Sequence, residues 1–253
     1  MDIQSERITL LNVPLDIVPP EELPDLILRL IPQMGEQDDE RRNIVLLSLR
    51  DLLKARRNNE YLEYLSNAVL VLPISKSLVS GAKFLTGKTV FRYMPFNFVI
   101  SLLSILEMKE YPVYLLGAKR KTLRKTEKNI NSTFPNLKIV GRCESYMRKQ
   151  DEHRVIEAIR KSSPSLLLVG KGIRGKELWI ARNSNRLNSG IRLWCSDLFD
   201  VFAEKKRRPS DKVFEKGLES IGYCIKNPVR FFRIFSYLQY NILLLFYRFF
   251  KKN

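Results

Sequence analysis

Short, mostly apolar runs punctuate the chain at 44–49, 68–73, 111–117, 137–141, 165–169 and 191–195. Such runs, bounded by turn residues and lacking strict polar alternation, suit strands buried on both faces of a sheet. Between them the segments 51–65, 98–108, 119–131 and 151–161 read as helices, the third strongly basic. Strands alternating with helices of about ten residues predict an α/β fold, a doubly wound, mostly parallel, Rossmann-like sheet whose ligands bind beyond the strand C-terminal ends. Ahead of this series, 8–17 reads as one or two short strands broken by Pro14, an opening hairpin, and the turn at Pro19 and Pro20 starts an amphipathic helix through 30. The run Lys205-Lys206-Arg207-Arg208-Pro209 marks a boundary. Beyond it, 212–226 is amphipathic and 229–250 is helical and apolar. The expected organisation is therefore an α/β domain, 1–203, and a basic, aromatic-rich C-terminal helical appendage, 204–253.

One junction concentrates chemistry. The strand at 165–169 ends in a turn punctuated by Gly170, Gly172 and Gly175, and the chain then becomes helical. Glycines at such a turn let backbone approach a ligand, while Lys171, Arg174 and Lys176 make the mouth basic and suited to a diphosphate. Gly117-Ala118-Lys119 is a second strand-to-helix turn, without the spacing of a Walker motif.

Composition narrows the partners. At 253 residues and 45% hydrophobic content, the chain can bury a substantial core. Cys143, Cys195 and Cys224 show no metal spacing and read as reduced, and the lone His153 supports neither a zinc site nor a His-based triad, so no metal or other cofactor is expected. The N-terminus lacks a basic start followed by an apolar core, so no signal peptide is expected. A net charge of +17 calls for a polyanionic partner: nucleic acid, an anionic membrane surface or a phosphate-bearing substrate. From Ala203 to Asn253 there are twelve Lys/Arg against four Asp/Glu, and Phe231, Phe232, Phe235, Leu238, Ile242, Leu245 and Phe249 recur there at helical steps. Bulky apolar side chains among cations are a membrane-surface pattern. Only the fourteen residues 234–247 are free of charge, against about twenty needed to span a bilayer, so the helix is expected to lie at the interface. The same face could instead pack on the domain's own core or in a homo-oligomer. Nucleic acid ranks last, since no recognition motif accompanies the charge.

The order of several segments resembles the WecG/TagA/CpsF glycosyltransferases. The resemblance rests on Leu11-Asn12-Val13-Pro14-Leu15-Asp16, Val113-Tyr114-Leu115-Leu116-Gly117, the 134–141 segment, the 164–180 junction with Gly172, Glu177 and Trp179, Leu198-Phe199-Asp200, and Gly217-Leu218-Glu219 followed by Asn227-Pro228 and Arg230. It implies inverting transfer of an N-acetylmannosamine-type sugar from a UDP-sugar to a polyprenyl-diphosphate-linked acceptor, for cell-surface polysaccharide, peripherally at the inner face of a bacterial cytoplasmic membrane. The substrate-binding residues it implies are Arg92, Gly117, Gly172, Lys176, Glu177 and Asp200. Arg230, Arg233, Phe231 and Phe232 would meet the membrane or the acceptor diphosphate.

The departures are equally specific. The family's aspartate base follows a proline; here Pro73 is followed by Ile74, which cannot take a proton. Leu46 and Ser48 stand at the family's threonine and asparagine, Pro95, Phe96 and Asn97 at its glycine, threonine and aspartate, Arg174 at its proline and Lys176 at its glutamine. Two expectations follow: a transferase with a substitute base, for which Ser48 and Asp51 lie near the mouth, or a pseudo-glycosyltransferase serving as a membrane-docked binding or scaffold subunit. Glu177 and Trp179 also suit the first turn of a helix and its packing, and Asp200 suits a helix cap or a pair with Lys205.

Overall fold

A computed structural model describes residues 5–31, 42–145, 148–187, 190–217 and 233–250. Cys224, Arg230, Phe231 and Phe232 lie outside the described residues.

Strands β1 (Glu6–Leu10) and β2 (Val13–Ile17) form an antiparallel hairpin. The break falls at Leu11 and Asn12 rather than at Pro14: both have left-handed φ, 52° and 67°, as a two-residue hairpin turn matched to strand twist demands. Pro14 sits within β2 opposite Thr9. Buried Asp16 moors the hairpin, accepting from Arg7 Nε at 2.7 Å and from the Val71 backbone N–H at 2.6 Å.

The main sheet comprises β3 (Asn43–Leu47), β4 (Leu70–Pro73), β5 (Val113–Leu116), β6 (Ile139–Cys143), β7 (Leu166–Gly170) and β8 (Ile191–Ser196). Its order is β4-β3-β8-β7-β5-β6 and every pairing is parallel. The doubly wound α/β expectation is met. Around it lie α1 (Leu23–Leu30), α2 (Leu49–Ala55), α3 (Asn59–Ser66), α4 (Lys76–Thr86), α5 (Pro95–Met108), α6 (Arg120–Thr133), α7 (Glu152–Ser162), α8 (Glu177–Arg182), α9 (Leu198–Phe202), α10 (Asp211–Lys216) and α11 (Arg233–Phe250). On one face α1, α5, α6 and α9 cover Ile44, Leu72, Leu115, Leu168 and Leu193. On the other, the hairpin, α2 to α4 and α11 cover Val45, Leu47 and Val71, while α7 and α8 cover Tyr114, Leu116, Leu167 and Val169.

Several elements depart from the sequence expectation. The strand at 44 stops at Leu47 because Ser48 caps α2, accepting the Asp51 backbone N–H while Asp51 returns a bond to the Ser48 backbone. The single helix at 51–65 is two helices, since Asn58 leaves helical geometry and caps α3 by accepting the Tyr61 backbone N–H at 2.9 Å. Helix α4 was not expected. Its glycine serves close packing: a Cβ at Gly81 would stand 1.9 Å from the Tyr240 hydroxyl of α11.

Helix α11 is two-faced. Tyr240, Leu244 and Tyr247 are buried on α2 and α4, and side chains of this size stabilise by about 1.5–3 kcal/mol each when fully buried. Tyr240 donates to the Ser77 carbonyl at 2.9 Å and Arg56 donates to the Tyr247 hydroxyl at 2.9 Å. The face read from sequence, Phe235, Leu238, Ile242, Leu245 and Phe249, is exposed, 75% in the case of Phe249. Among the described residues no helix is long and apolar enough to cross a membrane.

Candidate functional site

A cleft of about 2370 Å³ opens at the C-terminal ends of β3, β4, β7 and β8, closed on one side by α10 and touched by Tyr237 of α11. Among the described residues twelve Lys/Arg and four Asp/Glu line it. Part of the charge excess thus lies in a concavity, where low-dielectric walls strengthen its attraction for an anion.

The β7 end supplies the basic mouth. The turn after Gly170 is pinned by the Lys171 backbone N–H donating to the Ser196 carbonyl at 2.7 Å. Gly172, Gly175 and Lys176 all have positive φ, 95°, 88° and 54°. Lys176 is the uncommon case, a side chain held in a conformation that glycine favours. A Cβ at Gly172 would stand 2.4 Å from Ser145, and one at Gly117 would stand 2.7 Å from the Gly170 carbonyl oxygen. Both glycines therefore serve the packing of adjacent strand-end turns. Gly172 still lines the cleft, whereas Gly117 is packed against Gly170 and is not part of the lining. Arg174 and Lys176 are exposed and have no carboxylate partner among the described residues.

Other predicted residues are more engaged. Arg92 lines the cleft, donating through Nε to the Ile74 carbonyl at 2.9 Å and through Nη1 to the Phe214 carbonyl. Its guanidinium lies 3.7 Å from the Phe214 ring centroid, so Arg92 clips α10 over the β4 end. Buried Glu177 pairs with Lys54, whose ammonium stands 3.8 Å from the Tyr61 ring centroid. Trp179 donates to Glu152 at 2.5 Å. Asp200 pairs with Lys171 rather than Lys205, and lies outside the lining. Arg233 begins α11, and its side chain is outside the described residues.

Ile74, the residue after β4, lies beside the β3 terminus, its backbone N–H donating to the Leu47 carbonyl at 2.9 Å. The Ser75 hydroxyl accepts the Leu49 backbone N–H at 3.1 Å, which brings the first turn of α2 onto this edge. Asp51, in that turn, is half-buried and faces the cleft. Its Oδ2 accepts the Ser48 hydroxyl at 2.5 Å and the Ser48 backbone N–H at 3.1 Å. Burial holds its carboxyl above the ordinary carboxylate range, helped by repulsion from Glu177, although both bonds from Ser48 pull the other way. Cys195 also reaches the lining, but burial pushes its thiol up and it is no nucleophile at neutral pH. Among the described residues no group of three or more His, Cys, Asp or Glu could hold a metal ion.

Sequence reasoning missed the Lys54–Glu177 pair and the Arg92–Phe214 clip, which join positions 123 and 122 residues apart. The Ser48-x-x-Asp51 spacing was a readable capping signal that would have located the carboxylate over the strand end.

Comparison with known proteins gives a family model, "Glycosyl transferase WecG/TagA/CpsF family", matching residues 8–253. An N-acetylglucosaminyldiphosphoundecaprenol N-acetyl-beta-D-mannosaminyltransferase of Bacillus subtilis (strain 168) is 25% identical over 191 residues, 76% of this chain and 74% of that protein. The protein of the same name from Bacillus spizizenii (strain ATCC 23059 / NRRL B-14472 / W23) is 25% identical over 187 residues, 74% and 72% of the two chains.

Proposed function

Because the chain belongs to the WecG/TagA/CpsF family of glycosyl transferases, we propose that it moves an N-acetylmannosamine-type sugar from a UDP-sugar to a polyprenyl-diphosphate-linked acceptor during cell-surface polysaccharide synthesis. The observation that carries this reading is the cleft at the strand C-termini, with twelve cations in its lining among the described residues and the apolar helix α11 at its rim. Donor and acceptor each bring a diphosphate. Arg174 and Lys176, exposed in the mouth, suit the charge that builds on the departing UDP as the sugar–phosphate bond breaks. Transfer inverts the anomeric centre in a single displacement. The reading needs no cofactor.

The acceptor's lipid chain sets the location we propose, peripheral on the inner face of a bacterial cytoplasmic membrane. Segment 204–253 acts as the membrane-association appendage, with the exposed face of α11 in the lipid interface and Arg230, Arg233, Phe231 and Phe232 near the acceptor diphosphate. Tyr237 belongs to both α11 and the cleft lining, so a lipid-anchored substrate has a short path from bilayer to site.

The test is transfer by purified protein, with UDP-N-acetylmannosamine as donor and N-acetylglucosaminyl-diphosphate-polyprenol in vesicles as acceptor, followed by mass spectrometry of the lipid product. Absence of both donor binding and turnover would overturn the proposal. Ile74 at the β4 edge favours a second reading, a membrane-docked binding subunit without turnover, and donor binding with no transfer would select it.

A further inference from the structure

Joining a hydroxyl to an anomeric carbon requires somewhere for the hydroxyl proton to go, and among the described residues four carboxylates line the cleft and could receive it. Three are tied to donors from other elements. Glu177 is paired with Lys54, Asp197 with Lys206, and Glu152 accepts the Trp179 indole N–H. A carboxylate gripped by an ammonium is a poor base, because its negative charge is already stabilised. Asp51 differs. Its hydrogen bonds come from Ser48 alone and both end on Oδ2, and among the described residues no donor reaches Oδ1.

Resting on the transferase reading above, we propose that Asp51 is the general base of this protein, with Oδ1 as the accepting atom and Ser48 as the residue that positions it. The acceptor hydroxyl passes its proton to Asp51 as its oxygen forms the new bond to the anomeric carbon. The bond from that carbon to the diphosphate breaks, and its electron pair leaves on UDP. Asp51 then releases the proton to water.

Position supports the assignment. The cap folds Asp51 back over the β3 terminus, beside Ile74 next to the neighbouring β4 terminus, and the Lys54–Glu177 pair joins α2 to the residue that follows the basic 171–176 turn, so Asp51 shares one cleft with those cations. The groups acting on Asp51 are Lys54 of α2, Tyr61 of α3 and Glu177 of α8, and its raised proton affinity brings it nearer the operating pH of a base.

Three variants of the full chain test this in the vesicle transfer assay, with UDP-sugar binding measured by calorimetry. Asp51→Asn should lower transfer by about 100-fold or more, leave donor affinity within about threefold, and abolish the acidic limb of the pH–rate profile. Asp51→Glu should keep part of the activity. Ser48→Ala removes a bond that stabilises the ionised form, so the acidic limb should move to higher pH, a shift that mere loosening of α2 would not produce. Asp51→Asn within about threefold of wild type in transfer overturns the base assignment alone. So does an acidic limb unmoved in Ser48→Ala, which decides the matter even if Asp51→Asn does not fold. A wild type that turns over no donor overturns the transferase reading and this assignment with it.

Discussion

Asp51 works against the fold that holds it. Its carboxyl is raised above its unfolded value, chiefly by burial, so the folded state binds its proton more tightly than the unfolded chain does. The sign follows from linkage: the stability contribution is fully present below the unfolded pKa and is lost as pH rises through the folded one. At neutral pH the ionised group is therefore a net cost. Asp51→Asn, which keeps an acceptor for Ser48, should melt at or above the wild-type temperature at pH 7, and the difference should vanish at a pH below the unfolded carboxylate value, as differential scanning calorimetry across that range would show. A wild type that melts well above the variant at pH 7 would contradict the shift. Gly172 shows what is and is not readable one residue at a time. Its glycine character announces positive φ or close approach, and both are present, but the approaching atoms are those of Ser145 rather than a ligand. A sequence states that space is needed at a position; which neighbour fills it is settled by the turn after another strand, 27 residues earlier in the chain.

At the scale of elements, α11 separates two uses of apolar surface. Its periodicity at 235, 238, 242, 245 and 249 was plain in the chain, and that stripe is exposed. The second stripe, Tyr240, Leu244 and Tyr247, was hidden because aromatics occupy nearly the whole helix circumference, and period alone does not say which stripe meets a partner. Its counterpart was equally obscure, since α4 meets Tyr240 through a glycine. The two faces should respond oppositely to substitution. A Leu245→Glu, Phe249→Glu double variant should leave the melting temperature nearly unchanged while reducing co-sedimentation with anionic vesicles, by analogy with the about 2.5–3.5 kcal/mol that one charge costs at the centre of a membrane helix, less at the interface. Tyr240→Ala should instead destabilise by about 3 kcal/mol, because it empties a packed site and strands the Ser77 carbonyl. Equal destabilisation by both would mean that the exposed face is covered in solution.

Across the whole molecule, the parallel sheet was legible because buried parallel strands need continuous apolar runs, and four of the six strands show them. The net charge of +17 was legible too, but its address was not. The cations lining the cleft come from segments between Arg50 and Arg208, and only the sheet order β4-β3-β8-β7 draws them to one edge. Several are neutralised on arrival, Lys54 by Glu177, Arg182 by Glu60 and Lys206 by Asp197, so the count of charges overstates the field that a ligand meets. On the proposed reading two electrostatic roles separate by range. Attraction of the basic body to an anionic bilayer would act over distances comparable with the Debye length, about 10 Å at 0.1 M salt, and fade as salt rises. Contacts between cleft cations and a seated diphosphate would be short and partly desolvated, and so would fade less. Raising salt from about 0.05 to 0.5 M should therefore depress transfer to acceptor held in anionic vesicles far more than transfer to a short-chain, water-soluble acceptor, and replacing the anionic lipid with a zwitterionic one should remove most of the difference. Equal salt sensitivity with both acceptors would place the dominant charge effect in the cleft and leave the bilayer with none.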